Sequence, residues 1–226
     1  MLMEQYVVNI SGKVRRESKG GKSYLVAPMT LIVPGVLNGS QGALFYPPEE
    51  VRRNPQIWSG TPIVVYHPQV NGMPVSARDP DILATQGIGI VLHPTANEKL
   101  KAEGWFDEQK TAKVDQRVLE ALKHNQRMEI STGLFTDNLP VPGVFNGTSY
   151  NFVARNYRPD HLAILPDKVG ACSLDAGCGL NVNHRSEELV LNCGCGPECG
   201  CLICQEEHNT LLSLESVVAH LPALSR

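Results

Sequence analysis

No run of 18 apolar residues occurs in the 226-residue sequence, so no segment is long enough to span a bilayer as a helix. The opening residues, MLMEQYVVNI, place Glu4 ahead of a short apolar stretch and carry no basic lead. They match a signal peptide poorly, and a cytoplasmic product is expected. Cysteine is absent before Cys172. A secreted disulfide scaffold spreads its cysteines through the core, so that plan is disfavoured for the body of the chain. No long basic block occurs either. Lys13, Arg15, Arg16, Lys19 and Lys22 form a cluster broken by glycine and serine, which reads as a solvated hairpin and not as a nucleic-acid arm. Neither an internal repeat nor a phosphate-loop motif appears.

What is present reads as a β-rich globular body. Hydrophobic residues make up 42% and charged residues 19%, with net charge −3, which is ordinary for a globular protein. Residues 1–170 alternate short apolar runs with Gly, Pro and Asn punctuation. The runs predict strands at 5–10, 24–33, 61–66, 85–92, 101–106, 128–134, 150–156 and 161–165. Two segments predict helices: 48–53, which begins with Pro48 and acidic Glu49 and Glu50, and 114–124, with one broad apolar face. The fold expected is mainly β with a few helices (α+β), as a barrel or a strongly bent sheet with helices packed outside. Beyond residue 170 the composition turns to glycine and cysteine through residue 208. Residues 209–226 then carry Leu211, Leu212, Leu214, Val217, Val218 and Leu221 at helical spacing, as a docking helix or an assembly tail would.

Three short segments could carry chemistry. His67 ends the apolar run Pro62-Ile63-Val64-Val65-Tyr66 and precedes Pro68, a strand terminus that would hold an imidazole at the edge of the core. Ser131 sits in Met128-Glu129-Ile130-Ser131-Thr132-Gly133, a strand-like segment in which Gly133 permits close approach. The surroundings are not the G-x-S-x-G elbow of α/β-hydrolases. Asp160 and His161 open the apolar run that ends at Leu165, followed by Asp167-Lys168-Val169-Gly170. A serine hydrolase needs a nucleophile, a base, a group that orients the base, and donors for the oxyanion. Ser131, His67 and either His161 or Asp160 would fill the first three roles. The loop of Lys168, Val169 and Gly170 would supply backbone N–H groups and positive charge. Taken singly, each residue also has a structural explanation: a strand-end histidine, a strand serine, a capped turn.

Order and spacing join them. His67 precedes Ser131 by 64 residues, and His161 follows it by 30. The set V-Y-H-P, M-E-I-S-T-G and R-P-D-H-L-A-I-L resembles a family of tailed-bacteriophage prohead proteases, distantly similar to herpesvirus maturation proteases. The resemblance covers about residues 5–175. It implies a small closed β-barrel wrapped by helices, with Ser131 as nucleophile, His67 as base and His161 as third member, Asp160 being the alternative. It also implies a serine endopeptidase in the host cytoplasm, inside the assembling prohead. Its substrates would be phage scaffold and major capsid proteins, with self-association and without membrane or direct nucleic-acid contacts. Where many phage relatives carry Gly-Arg-Ala-Gly after the third motif, this chain has Asp167-Lys168-Val169-Gly170, so the oxyanion arrangement is the part that departs.

The C-terminal cysteines follow another logic. Cys193, Cys195, Cys199, Cys201 and Cys204 alternate with glycines, and His208 follows. Zinc takes four such soft ligands in a tetrahedron, so a structural zinc is the cofactor this pattern would hold, with Cys172 or Cys178 able to complete the set. The spacing is not that of a paired C-x2-C finger. Two further functional readings therefore stand beside the protease: a non-enzymatic capsid-assembly or scaffold module with a vestigial triad, and a zinc-binding regulatory protein.

Overall fold

The computed structural model describes residues 13–39 and 42–181. The chain divides into two units, Met1–His184 and Arg185–Arg226. The second unit, with the five clustered cysteines and the expected helix at 209–226, lies outside the described residues, as does the strand expected at 5–10.

The N-terminal hairpin pairs β1 (Arg15–Lys19) with β2 (Lys22–Ile32), and Gly20 and Gly21, both at positive φ, make its turn. The basic cluster is thus a hairpin, as its interrupting glycines suggested. A second hairpin, β3 (Gly35–Gly39) and β4 (Gly42–Tyr46), leads into α1 (Pro48–Arg53), which starts where the sequence placed it, with proline in its first turn. Next come β5 (Pro62–Val65), the small hairpin β6 (Gln69–Val70) and β7 (Met73–Pro74), and α2 (Pro80–Gln86). They are followed by β8 (Gly87–Ala96), β9 (Leu100–Asp107), α3 (Glu108–Val114) and α4 (Gln116–Lys123). The last elements are β10 (Glu129–Leu139), the hairpin β11 (Gly143–Phe145) and β12 (Thr148–Tyr150), β13 (Phe152–Leu165) and β14 (Gly179–Leu180).

Three expectations change in detail. The strand expected at 85–92 begins two residues later, because α2 occupies Pro80–Gln86; the Asp79 side chain accepts hydrogen bonds from the N–H groups of Asp81 and Ile82. The helix expected at 114–124 is α4, Gln116–Lys123, and a further helix that was not expected, α3, ends just before it at Val114. Asp115 adopts extended backbone (φ −155°) and caps α4 through the Arg117 N–H. The strands expected at 150–156 and 161–165 are one strand, β13, irregular in its middle, where Asn156 has φ +51°.

The described body is mainly β with few helices. Its main sheet runs β1-β2-β9-β8-β5-β13-β4-β3, with β10 added on β13 and β14 on β2. As a ladder path this is open and not closed into a barrel. A single bridge, Met128 to Leu180, links the start of β10 to β14. The β14–β2 pairing also carries the body past residue 170, where the boundary of the Cys/Gly segment was expected.

Strand alternation gives β5 and β13 two buried faces. Ile63, Val65, Leu162 and Ile164 enter the main core with Met29, Phe106, Leu122 and Ile130. Val64, Ala163 and Leu165 turn the other way, under Ala77 and Ile82. Burying each large aliphatic side chain contributes roughly 1.5–3 kcal/mol. Such a doubly covered strand pair is a rigid mount for polar groups placed at its rim.

Candidate active site

Ser131 lies opposite Ala163 in the β10–β13 ladder, and Gly133 lies opposite His161. Residues directly opposed share a face, as do residues two apart on one strand. Ser131, Gly133, His161 and Ala163 therefore stand on one face of the sheet, while Ile130 and Leu162 point into the main core. The glycine is required there. A Cβ at Gly133 would collide with the His161 ring, so the imidazole lies across the strand that carries Ser131.

Asp160 and His161 are sequence neighbours and would ordinarily point to opposite faces of β13. The ladder steps at this point: Gly133 faces His161 but Leu134 faces Pro159, which leaves Asp160 as an extra, bulged residue. A bulge re-aims side chains, and here the Asp160 carboxylate Oδ2 sits 2.7 Å from His161 Nδ1. Both residues are buried, at 8% and 6% exposure, so the carboxylate must be satisfied internally. Ser76 Oγ donates to its Oδ1, and the Ala77 N–H donates to Oδ2 at 2.9 Å. Burial alone would push the Asp160 carboxyl up. The hydrogen bonds from Ser76, His161 and Ala77 outweigh it and hold the group below its ordinary range.

His67 arrives from β5. Tyr66 still donates its N–H to Ile164 O at 3.0 Å, but its φ of +63° ends the strand. A bulky residue at positive φ is uncommon, and such strain collects at functional sites. Beyond this turn His67 Nδ1 lies 2.7 Å from His161 Nε2, with the rings edge to face. The carboxylate fixes the direction of the chain. With both rings neutral, His161 donates Nδ1–H to Asp160, its Nε2 accepts from His67 Nδ1–H, and His67 Nε2 keeps a free lone pair. The His67 residue as a whole is open to solvent, but the covered side of its ring is desolvated. That burial, followed by the charges of His161 and Lys168, pushes its pKa down to about 4. At neutral pH His67 is an unprotonated base.

The two third-member candidates are thus both engaged in series: His161 touches His67, and Asp160 touches His161. No hydrogen bond joins Ser131 to either histidine among the described residues. Ser131 and His161 are diagonal neighbours on the ladder, a relationship that places Cα atoms roughly 7–8 Å apart.

The 167–174 loop is tied beside Ser131. Glu129, two residues before it on β10, accepts from the Gly170 N–H at 3.2 Å and from the Leu174 N–H at 2.9 Å. A Cβ at Gly170 would strike the Ile130 carbonyl oxygen. The Gly170 N–H is therefore already spoken for, and of the expected oxyanion donors the backbone groups of Lys168 and Val169 are the ones left. Lys168 Nζ stands 5.0 Å from the centroid of the Tyr66 ring, and the Tyr66 hydroxyl donates to Asp167 at 2.8 Å. Arg117 bridges the two, donating to Asp167 at 2.8 Å and to the Tyr66 oxygen at 3.0 Å. These contacts fix the loop to the segment that carries His67.

Ser76 and Glu129 escaped the sequence. Alternation along Glu129-x-Ser131-x-Gly133 does put Glu129 on the site's face, but nothing local marks Ser76 as a partner of Asp160. Asp107 is buried and caps α3 through the Lys110 N–H. Away from the site, His93 has Nδ1 2.9 Å from the buried Glu103 carboxylate, which also takes both arms of the Arg15 guanidinium.

Cys172 and Cys178 are joined as a disulfide and so are not free thiolate ligands for zinc. No cluster of three or more metal-ligating side chains occurs among the described residues, and Cys193, Cys195, Cys199, Cys201 and Cys204 lie outside them. No helix among the described residues is long and apolar enough to cross a membrane. A cavity of about 320 Å³, lined by Glu50, Arg53, Trp58, Asn156 and Tyr157 among others, includes none of the residues of the Ser131 face. No family model, curated protein or solved structure matches this chain.

Proposed function

We propose that this chain is a serine endopeptidase of the prohead-maturation kind, acting on scaffold and capsid-protein segments of a tailed phage inside the assembling particle. The observation that carries the reading is the ordered hydrogen-bond chain from Asp160 through His161 to His67, whose central member His161 stands on the same sheet face as Ser131. In the proposed reaction Ser131 Oγ attacks the scissile carbonyl carbon, and His67 Nε2 takes the hydroxyl proton. The imidazolium so formed is stabilised through His161 by the Asp160 carboxylate, then returns the proton to the leaving amine as the peptide C–N bond breaks. Water repeats the sequence to release the acyl group. Lys168 and Val169 backbone N–H groups are the proposed oxyanion donors.

The closed-barrel part of the reading draws support from the Met128–Leu180 bridge. The Leu180 N–H donates to Met128 O at 2.9 Å, and β14 pairs in turn with β2, so the strands return toward their start. Phage substrates, self-association and location within the prohead rest on the sequence resemblance.

One observation favours a second reading, the non-enzymatic assembly module: Ser131 makes no hydrogen bond to a histidine. Co-expression with the cognate capsid and scaffold proteins, followed by intact mass measurement, separates the two. Fragments that vanish with Ser131→Ala establish the protease. Fragments unchanged by Ser131→Ala remove Ser131 from its role, and no fragments within assembled particles supports the module.

A further inference from the structure

The chain leaves the site at His67 and re-enters it at Ser76. Between them the hairpin of β6 and β7 is closed by the Val75 N–H donating to Pro68 O at 3.1 Å. His67 meets His161 at one end of this excursion, and Ser76 meets Asp160 at the other. Hydrogen bonds and backbone together make a closed loop: His67, His161, Asp160, Ser76 and back along the hairpin.

We propose that Ser76 is a positioning residue of the site, whose hydroxyl locks the Asp160 carboxylate in the one orientation that sets the tautomers of His161 and His67. This rests on the protease reading for its consequence, but its geometry can be tested without it.

The carboxylate has two oxygens with different duties. Oδ2 accepts from His161 Nδ1 and from the Ala77 N–H. Oδ1 accepts from the Ser76 hydroxyl. Partial rotation about the Cβ–Cγ bond would swing the oxygen that accepts from His161 out of line. The Ala77 N–H resists this at one oxygen only, and the Ser76 hydroxyl pins the other. The Ser76 hydroxyl bonds locally as well, accepting from the Arg78 N–H at 3.1 Å, so its own proton is directed at Asp160. Arg78 Nη2 also holds the Pro159 carbonyl at 3.3 Å, which anchors the bulge from its other side. Without the hydroxyl, the buried Oδ1 loses its partner and the carboxylate swings over a wider range about its Cβ–Cγ bond. His161 is then free to present Nδ1 or Nε2 to His67, and the base is no longer held in one tautomer.

The experiment compares unaltered protein, Ser76→Ala and Ser76→Thr, all full-length. The first readout is proton NMR of ¹⁵N-histidine-labelled protein, which resolves the imidazole N–H signals of His67 and His161 independently of any activity. The second is the rate at which a fluorophosphonate probe modifies Ser131, located by peptide mass with Ser131→Ala as control. Ser76→Ala is expected to broaden or lose the His161 Nδ1–H signal and to slow labelling by about tenfold or more. Ser76→Thr, which keeps the hydroxyl, is expected to restore both.

An unchanged His161 signal in Ser76→Ala would overturn the proposal, as would equal loss in the alanine and threonine variants. If unaltered protein is not labelled at Ser131, the protease reading fails, while the NMR arm still decides whether Ser76 positions Asp160.

Discussion

The His161 ring covers Gly133 on the neighbouring strand, occupying the space a side chain at that position would need. The strand of Ser131 thus carries the seat of the histidine that contacts His67.

Gly133→Ala should accordingly act on the site more than on the fold. The added methyl must displace the His161 ring, and overpacking of this kind costs about 1–3 kcal/mol. Loss of the 2.7 Å contact to His67 should follow. The expected outcome is a modest fall in melting temperature with fluorophosphonate labelling of Ser131 reduced by about 100-fold. Thermal unfolding and intact mass on one sample check both. Unchanged labelling would mean that the His161 ring does not need this seat.

Asp160→Asn keeps shape and removes charge. The amide can accept from His161 through its oxygen only if its NH₂ group turns toward Ser76 Oγ, and an imidazolium at His67 would lose its counter-charge. Labelling of Ser131 should drop by about 10²–10⁴-fold, the usual range for losing acid–base assistance. Because the folded Asp160 carboxyl is held below its ordinary range, its contribution to stability is present above about pH 4, the unfolded value. It is lost as pH falls through the lower folded value. Denaturant midpoints between pH 5 and pH 2, read for both proteins, should therefore fall less steeply with acid in Asp160→Asn. Parallel curves would count against the hydrogen bonding assigned to Asp160.

His67 gives a separate pH signature. Its folded pKa of about 4 lies below the ordinary histidine value near 6.5. Between those values the unfolded chain holds more protons, so stability rises with pH across this window and is complete above it. Because His67 is open to water on one side, the amplitude is damped. His67→Gln should flatten this part of the curve, as measured by denaturant midpoints from pH 4 to pH 7. The imidazole signals of labelled protein should show His67 neutral down to near pH 4. Titration of His67 near 6.5 would remove the case for a desolvated ring.

Much of this site was legible because strand alternation and helix caps are local. Pro48 marked the start of α1, and the apolar run before His67 marked β5. The core packing of β13 follows from the simple alternation of Leu162 and Ile164 with Ala163 and Leu165, which face the other way. Ser131 and His161 lie on paired strands, on one face, and His67 reaches His161 from just beyond the end of β5. What stayed hidden was non-local. Asp160 and His161 stood as alternatives for one position because the resemblance allows either; alternation sends strand neighbours to opposite faces, and only the bulge opposite Gly133 lets the two side chains meet in series. Ser76 is 84 residues from Asp160, and no spacing rule links a loop serine to a strand acid. The start of α2 was readable in Asp79-Pro80-Asp81, a capping residue followed by proline. The strand expected from residue 85 overlaps only the last two residues of that helix, Thr85 and Gln86.

Glu129 supplies the last test, because it links the Ser131 strand to the 167–174 loop through two backbone N–H groups. Hydrogen bonds to a charged acceptor contribute about 1.5–3 kcal/mol each when both partners are removed from water, and less at this half-buried position. Glu129→Ala should free the Gly170 and Leu174 amides, with faster hydrogen exchange at both and a stability loss of about 1–3 kcal/mol. Exchange at Ile164 and Leu165, within the β13 ladder, should stay slow, which distinguishes local release from global unfolding. Labelling of Ser131 should fall as well, because the loop that carries Lys168 and Val169 loses its brace. If exchange quickens while labelling holds, those two residues are not the oxyanion donors, and the donors must come from outside this loop.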